Sequence, residues 1–229
     1  MNEQDYAIVI GVRYRFLRPL QATLKDAAKF TEWLTSDTGG GIPLDSGRIK
    51  SIQSPPSGTA SRPLQMDIDD ALREFGVHKG KRIGRRLYFY FSGHGFGTMG
   101  EDNDVGMLMA DAEMQALNTN IGLNKYTALF RNTHLFDEVI FILDCCRDPA
   151  PEAKNMTLGT NRSKFNPPHN DPDPPIEFFT VLAAEYGRKA FEPKDKSKGE
   201  RRGLLTQAML EGLTLPQTAD PEGRFTTTS

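Results

Sequence analysis

The length, composition and charge of the chain exclude several classes of protein. Its 229 residues suffice for one domain with a buried core. The composition, with 38% hydrophobic and 25% charged residues, is typical of a soluble globular protein. A net charge of -2 gives no electrostatic reason to expect nucleic acid or an anionic membrane as partner. No apolar stretch is long enough to span a membrane, and the acidic N-terminus does not resemble a signal peptide. Two adjacent cysteines, Cys145 and Cys146, exclude a disulfide framework and favour a reducing, cytoplasmic setting.

Short apolar runs alternate with amphipathic stretches along the chain. Runs rich in β-branched and aromatic residues predict buried strands, and apolar residues spaced three and four apart predict helices with one buried face. In chain order, the predicted elements are strand 6–12, helix 20–34, outer strand 48–52, helix 68–75, strand 87–91, helix 123–130, strands 138–143 and 178–184, and helix 205–213. This alternation indicates an α/β fold with a mostly parallel sheet covered on both faces. Reactive groups in such sheets collect at the carboxyl ends of the strands.

Three polar segments, 54–62, 147–175 and 194–202, are predicted to be loops, and the second is long for a loop within a compact domain. Residues 1–215 are predicted to form one domain. Residues 216–229 are predicted to be a C-terminal tail, which could be the start of a further element of a longer protein.

Two of the predicted strands end in residues suited to nucleophilic catalysis. The sequence SGHG follows one strand at 92–95, and DCCR follows another at 144–147. A thiolate is a strong nucleophile, and an imidazole beside it can take and return the proton. Taken alone, a cysteine at the end of a strand is usually a small core residue, and a histidine between glycines usually marks a turn. Here the two occur together, and His94 precedes Cys146 by about 50 residues, which is the spacing between the catalytic histidine and cysteine of caspases. Backbone N–H groups of Gly95 and Cys146 are candidate oxyanion donors.

These two boxes resemble the His and Cys boxes of the caspase and metacaspase superfamily, the clan CD cysteine proteases of the C14 type. The resemblance extends from residue 6 to about 213 and includes the opening strand YAIVIGV and the closing GLLTQAMLEGL. It implies a caspase-like three-layer α/β sandwich, with about six mainly parallel strands between helices. It also implies a cysteine endopeptidase of bacterial type, in which Cys146 is the nucleophile, His94 handles the proton and Cys145 is a buried neighbour.

The resemblance further implies a preference for Arg or Lys before the scissile bond. Metacaspases line the first substrate pocket with two aspartates and a serine, which match Asp26, Asp144 and Ser92 here. Two carboxylates pair well with a guanidinium or ammonium and poorly with an acidic side chain. Animal caspases prefer Asp and use arginines instead. Three arginines of the first strand-to-helix loop leave that alternative open: Arg13, Arg15 and Arg18.

The segment after the nucleophile departs from the family pattern. Metacaspases usually continue with His-Ser-Gly, whereas this chain has Arg147-Asp148-Pro149, of which only the arginine is closer to the caspase form. The sequence names no residue that orients His94. The family often uses a backbone carbonyl for this purpose, which no sequence pattern can reveal.

Regulation, cofactors and partners are less clearly indicated. Basic residues in two predicted loops, at 154, 162 and 164 and within 194–202, are candidate sites of self-cleavage, although solvated loops explain them equally well. The acidic cluster 101–104 lacks the spacing of a Ca²⁺-binding loop, so no cofactor is predicted. Activation by Ca²⁺ is possible for this family, but no specific motif in the sequence supports it. The expected partners are a protein substrate and a regulatory domain or protein, with no nucleic acid and no membrane; by family analogy, the protease would serve bacterial defence or cell death.

Two other readings compete with an active protease. A catalytically silent interaction module would be expected to have lost some of the site residues, and all of them are present. A metal site formed by Cys145, Cys146 and a histidine matches no structural zinc spacing.

Overall fold

The computed structural model describes residues 4–56, 62–98, 104–113, 119–149, 158–159, 175–192 and 201–214. Eight strands lie within these ranges: β1 (Asp5–Gly11), β2 (Ile49–Gln53), β3 (Gly84–Ser92), β4 (Gly95–Gly97), β5 (Val105–Leu108), β6 (Asn120–Gly122), β7 (Phe136–Asp144) and β8 (Glu177–Leu182). Five of them form the central sheet in the order β2-β1-β3-β7-β8, and every pairing in it is parallel. The short strands β4, β5 and β6 form a separate antiparallel sheet.

Within the described ranges, four α-helices cover the two faces of the central sheet: α1 (Thr23–Thr35), α2 (Gln65–Phe75), α3 (Leu123–Thr133) and α4 (Leu204–Thr214). The apolar side chains of α1 and α4 pack with alternate residues of β1, β3 and β7, whereas α2 and α3 pack with the residues between them. Both faces of each inner strand are therefore buried, which explains why these strands appear in the sequence as unbroken apolar runs. The chain forms the expected α/β arrangement.

The register of the inner strands brings their carboxyl ends to one level. Gly11 of β1 pairs with Ser92 of β3, and Ser92 pairs with Asp144 of β7. Because the strands are parallel, the segments that follow them start side by side at the same edge of the sheet. The loop after β1, the turn containing His94 and the segment containing Cys146 therefore begin next to one another.

The structure differs from the sequence-based expectation in three details. The described residues form five central strands, whereas about six were expected. The sheet of β4, β5 and β6 was not predicted, because strands of three or four residues carry almost no periodic signal. The first helix begins at Thr23 and leaves Leu20 in the preceding loop, where it lines a cavity.

Several expectations concern residues outside the described ranges. The domain boundary at residue 215 stays a prediction, because 215–229 are among those residues, as are most of the predicted loops 147–175 and 194–202. Among the described helices, none has the length and apolar character needed to cross a membrane.

The packing of α1 against the sheet gives a prediction for stability. Phe30 is fully buried, and its ring stacks on that of Tyr90 with the centroids 4.5 Å apart. We expect Phe30→Ala to lower the free energy of unfolding by about 3–5 kcal/mol, because it leaves a cavity between helix and sheet. Phe179→Ala is the matched control, since this ring on β8 is 56% exposed and its loss should cost less than about 1 kcal/mol. Urea unfolding measures both, and equal losses would contradict the assigned core.

Candidate active site

A cavity of about 650 Å³ opens at the carboxyl edge of the central sheet. It lies where the segments after β1, β3 and β7 converge, and the chain around residues 189–192 and 201–203 completes its wall. All six site residues singled out in the sequence line this one cavity: Asp26, Ser92, His94, Gly95, Asp144 and Cys146. They come from positions far apart in the chain, and the fold brings them together.

Glycines flank His94 because the neighbouring chain approaches closely on both sides. A Cβ atom at Gly93 would lie 2.5 Å from the hydroxyl oxygen of Tyr14. A Cβ at Gly95 would lie 2.7 Å from Cys145 Sγ and 2.9 Å from the carbonyl oxygen of Cys146. The glycines predicted to permit a close approach of the backbone thus allow the His94 turn to lie directly against the Cys146 segment.

A backbone carbonyl orients the imidazole of His94. Its Nε2 lies 2.7 Å from the carbonyl oxygen of Arg18, in the loop between β1 and α1. A carbonyl can only accept, so Nε2 carries the proton and Nδ1 of the neutral ring is the nitrogen with a free lone pair. Burial lowers the pKa of His94, and the bond to Arg18 opposes this in part. The third group that the sequence could not name is therefore a main-chain atom.

The two cysteines occupy different environments. Cys145 is only 2% exposed and packs in the apolar core, whereas Cys146 is half-buried and lines the cavity. The Sγ atom of Cys146 lies 3.9 Å from the carbonyl oxygen of Ala190. Burial raises the pKa of both thiols. The raised pKa of Cys146 and the lowered pKa of His94 both favour the neutral thiol and the neutral imidazole.

The two aspartates are held by Gly203, just before α4, and by Thr206 in its first turn. Asp26 is fully buried, and its Oδ2 accepts the N–H of Gly203 at 2.8 Å. Asp144 Oδ2 accepts both the N–H of Thr206 at 3.1 Å and its hydroxyl at 2.7 Å. A Cβ at Gly203 would collide with the carboxylate of Asp144, so only glycine fits between the two acids.

Burial leaves Asp26 with an unusual protonation equilibrium. Its Oδ1 has no hydrogen-bond partner among the described residues, and the nearest cation is Arg202, whose Nε lies 4.0 Å away. Burial raises the pKa of Asp26 to about 7, with a further contribution from the charge of Asp144. Burial also raises the pKa of Asp144 itself. The pocket therefore contains two carboxyl groups that are both costly to ionise.

Sequence reasoning missed the wall of the cavity that surrounds these acids. The segment GLLTQAM was assigned only to a closing helix, yet Gly203 and Thr206 fix both aspartates. At the rim, the carboxylate of Glu192 accepts the N–H groups of Gln21 and Ala22 at 3.3 and 3.0 Å. Contacts of this kind join residues that are far apart in the chain, so no local sequence motif predicts them.

The arginines proposed as an alternative specificity site are placed differently from one another. The guanidinium of Arg13 donates to the carbonyl oxygens of Pro55 and Pro56, at 2.8 and 2.6 Å. Arg15 stacks over the ring of Phe16 and does not line the cavity. Arg18 does line it, and contributes its carbonyl to His94.

The remaining site candidates fall mainly outside the described residues. Positions 101–103 of the acidic cluster and the basic positions 154, 162 and 164 are among them. Asp104 is described: its carboxylate accepts the backbone N–H groups of Val105 and Asn124, at 2.7 and 2.9 Å. These bonds give Asp104 a structural role at the start of β5.

Comparison with known proteins identifies the family. The family model for the caspase domain, peptidase C14, matches residues 4–226. The chain belongs to the caspase-domain family. A curated relative from a Desulfuromonadales bacterium, described as a probable protease, is 32% identical over 221 residues, or 92% of this chain. The chain spans 26% of that relative's length.

The solved structures agree on the fold of this caspase domain. The crystal structure of a protein from Geobacter sulfurreducens, a structural-genomics target, matches 91% of this chain and 81% of its own with a TM-score of 0.55 and 13% sequence identity. At that identity the similarity establishes the fold alone. The family match identifies the chain as a caspase domain of the peptidase C14 type, and its sequence is similar to that of a probable protease.

The environments of the two cysteines predict selective alkylation. We expect iodoacetamide to modify Cys146 and to leave Cys145 unmodified in the folded protein, because only Cys146 reaches the cavity. The rate should continue to rise with pH above the ordinary thiol pKa of about 8.5, since burial raises the pKa of Cys146. Peptide mass spectrometry after timed labelling measures both. Modification of Cys145 first, or a rate that levels off below pH 8, would contradict the assigned environments.

Proposed function

We propose that this caspase domain is an endopeptidase that cleaves after Arg or Lys, with Cys146 as nucleophile and His94 as its proton carrier. The observation that carries the proposal is one cavity lined by Cys146, His94 and two buried carboxyl groups. The thiol and imidazole supply the chemistry, and the acids supply the preference for a basic side chain.

The dyad would operate from its neutral resting state. Nδ1 of His94 takes the thiol proton of Cys146, and the thiolate attacks the carbonyl carbon of the scissile peptide bond. The oxyanion of the tetrahedral intermediate accepts backbone N–H bonds, for which Gly95 and Cys146 are the candidates. The imidazolium then donates its proton to the leaving amine, and water hydrolyses the thioester to release the carboxylate and the free thiol.

The carbonyl of Arg18 supports this role for His94. Its bond to Nε2 fixes the ring orientation and leaves Nδ1 as the nitrogen that can accept a proton. When the ring becomes an imidazolium during the reaction, the same carbonyl accepts a stronger, charge-assisted hydrogen bond. Nε2 thus makes an interaction that strengthens as positive charge develops.

The electrostatics of the pocket favour a basic substrate side chain. Asp26 and Asp144 both line the cavity, and an arginine or lysine entering it would supply donors and an opposite charge to their carboxylates. An acidic side chain would bring a third carboxylate beside two buried ones, which is unfavourable. Arg13, the first candidate for an Asp-specific pocket, is engaged by Pro55 and Pro56 instead.

Cleavage of fluorogenic peptides with Arg, Lys or Asp at the P1 position tests the proposal. We expect turnover after Arg and Lys, none after Asp, and loss of all turnover in Cys146→Ala, with or without added Ca²⁺. Asp26→Asn should lower kcat/KM for the Arg peptide by about 10- to 100-fold, the contribution of a hydrogen bond to a charged group. Asp45→Asn, at an exposed position, is the matched control and should change nothing.

The other outcomes of this assay separate the two parts of the proposal. Turnover only after Asp would retain the nucleophile and eliminate the acidic pocket. No turnover, together with no labelling of Cys146 by a cysteine-directed peptide probe, would favour the silent interaction module.

The pKa of Asp26 predicts a distinctive pH dependence. Burial raises it to about 7, so the group loses its negative charge as the pH falls through 7. The charges that face it are those of Asp144, Glu192 and Arg202. We expect KM for the Arg peptide to rise below pH 7, because a protonated Asp26 attracts the guanidinium less strongly.

Two controls isolate the effect of Asp26 on the pH profile. A peptide with citrulline, the neutral isostere of arginine, should lack this rise in KM, and Asp26→Asn should remove it for the Arg peptide. An equal rise for both peptides in the wild type would assign the titration to a group other than the pocket acids.

A further inference from the structure

A buried tyrosine lies beside the candidate active site without lining its cavity. Tyr14 is 7% exposed and belongs to the loop between β1 and α1. Its ring contacts the imidazole of His94, with the centroids 4.6 Å apart and the planes inclined by 49°. Its hydroxyl, rather than its ring, makes the contacts that suggest a role.

Three hydrogen bonds join Tyr14, His94 and Leu108 in a closed ring. The backbone N–H of His94 donates to the Tyr14 hydroxyl oxygen at 2.6 Å, and the hydroxyl donates to the carbonyl oxygen of Leu108 at 2.9 Å. The N–H of Leu108 completes the ring by donating to the carbonyl oxygen of His94 at 3.0 Å. Both main-chain polar groups of His94 are therefore engaged, one by a side chain and one by β5.

The hydroxyl holds a residue that lies between two strands. His94 follows the end of β3 and precedes the start of β4, so its N–H has a side-chain partner instead of a place in the ladder of the central sheet. The hydrogen bond between Tyr14 and His94 lies beside Gly93, where the absence of a side chain leaves room for the Tyr14 hydroxyl oxygen. A different residue at either position would move the His94 backbone.

The same loop fixes the imidazole itself. Arg18, four residues after Tyr14, supplies the carbonyl that accepts Nε2–H. One loop therefore fixes both the backbone of His94, through Tyr14, and the direction of its ring, through Arg18. A small displacement of this backbone would tilt Nδ1 relative to Cys146, and misplacement by about 1 Å can cost about 100-fold in rate.

We propose that Tyr14 is a positioning residue of the protease, whose hydroxyl holds the His94 backbone so that the imidazole keeps its bond to the Arg18 carbonyl within the cavity that Cys146 lines. This inference rests on the proposed role of His94. Tyr14 is not itself a catalytic residue, because it acts through His94.

The test compares two buried tyrosines that lose the same atom. Tyr14→Phe keeps the ring and removes the hydroxyl; Tyr126→Phe does the same at a core position whose hydroxyl donates to Asp69, outside the cavity. Both variants should lose some thermal stability, and circular dichroism with Tm shows whether each is folded. For the Arg peptide, we expect Tyr14→Phe to lower kcat by about 10- to 100-fold with KM within about 2-fold, and Tyr126→Phe to leave both unchanged.

A second readout does not depend on turnover. Burial lowers the pKa of His94 in the wild type. In Tyr14→Phe the released imidazole should titrate nearer its ordinary pKa of about 6.5, as followed by nuclear magnetic resonance of the ring, and Tyr126→Phe should titrate as the wild type does. An inactive wild type with this shift in Tyr14→Phe would refute the proposed function and still support the positioning role. Unchanged kcat and an unchanged His94 titration in folded Tyr14→Phe would overturn the inference.

Discussion

The common level at which three parallel strands end is the constraint on which the site depends. Gly11, Ser92 and Asp144 are paired neighbours across the sheet, so the segments that follow them leave from one edge. A shift of register by one residue would turn Asp144 to the opposite face and displace the cysteines after it. The packing of β1, β3 and β7 between two helical layers prevents such a shift, because the side chains that fit against one layer would then face the other.

Removal of water is the shared cause of the unusual protonation states in the cavity. Burial raises the pKa of Cys146, Asp26 and Asp144 and lowers that of His94, so it favours the neutral form of every one of these groups. A bound cation would reverse the balance at the aspartates, because it compensates their ionised form. Substrate binding and ionisation of the pocket are therefore coupled in the proposed enzyme.

The sequence predicted the elements that have strong local patterns. Buried parallel strands are continuous apolar runs, so β1, β3 and β7 could be located, together with the reactive residues His94 and Cys146 that follow two of them. The resemblance to metacaspases placed Asp26 and Ser92 in the same cavity. The short antiparallel strands and the Arg18 carbonyl could not be predicted, because a three-residue strand has no period and every residue carries a carbonyl. Bonds between the aspartates and α4 join positions too far apart in the chain for any spacing rule.

The start of α4 links the two buried aspartates of the cavity to the rest of the chain. The first turn of a helix has free N–H groups and a partial positive charge, and Asp144 accepts one of these N–H groups, from Thr206. Gly203, just before the helix, donates to Asp26 in the same way. Each carboxylate is anchored through its Oδ2, and Oδ1 of Asp26 keeps no partner among the described residues. The chain therefore fixes the positions of both acids through donors at the start of α4, while the buried Oδ1 of Asp26 has no hydrogen-bond partner among the described residues.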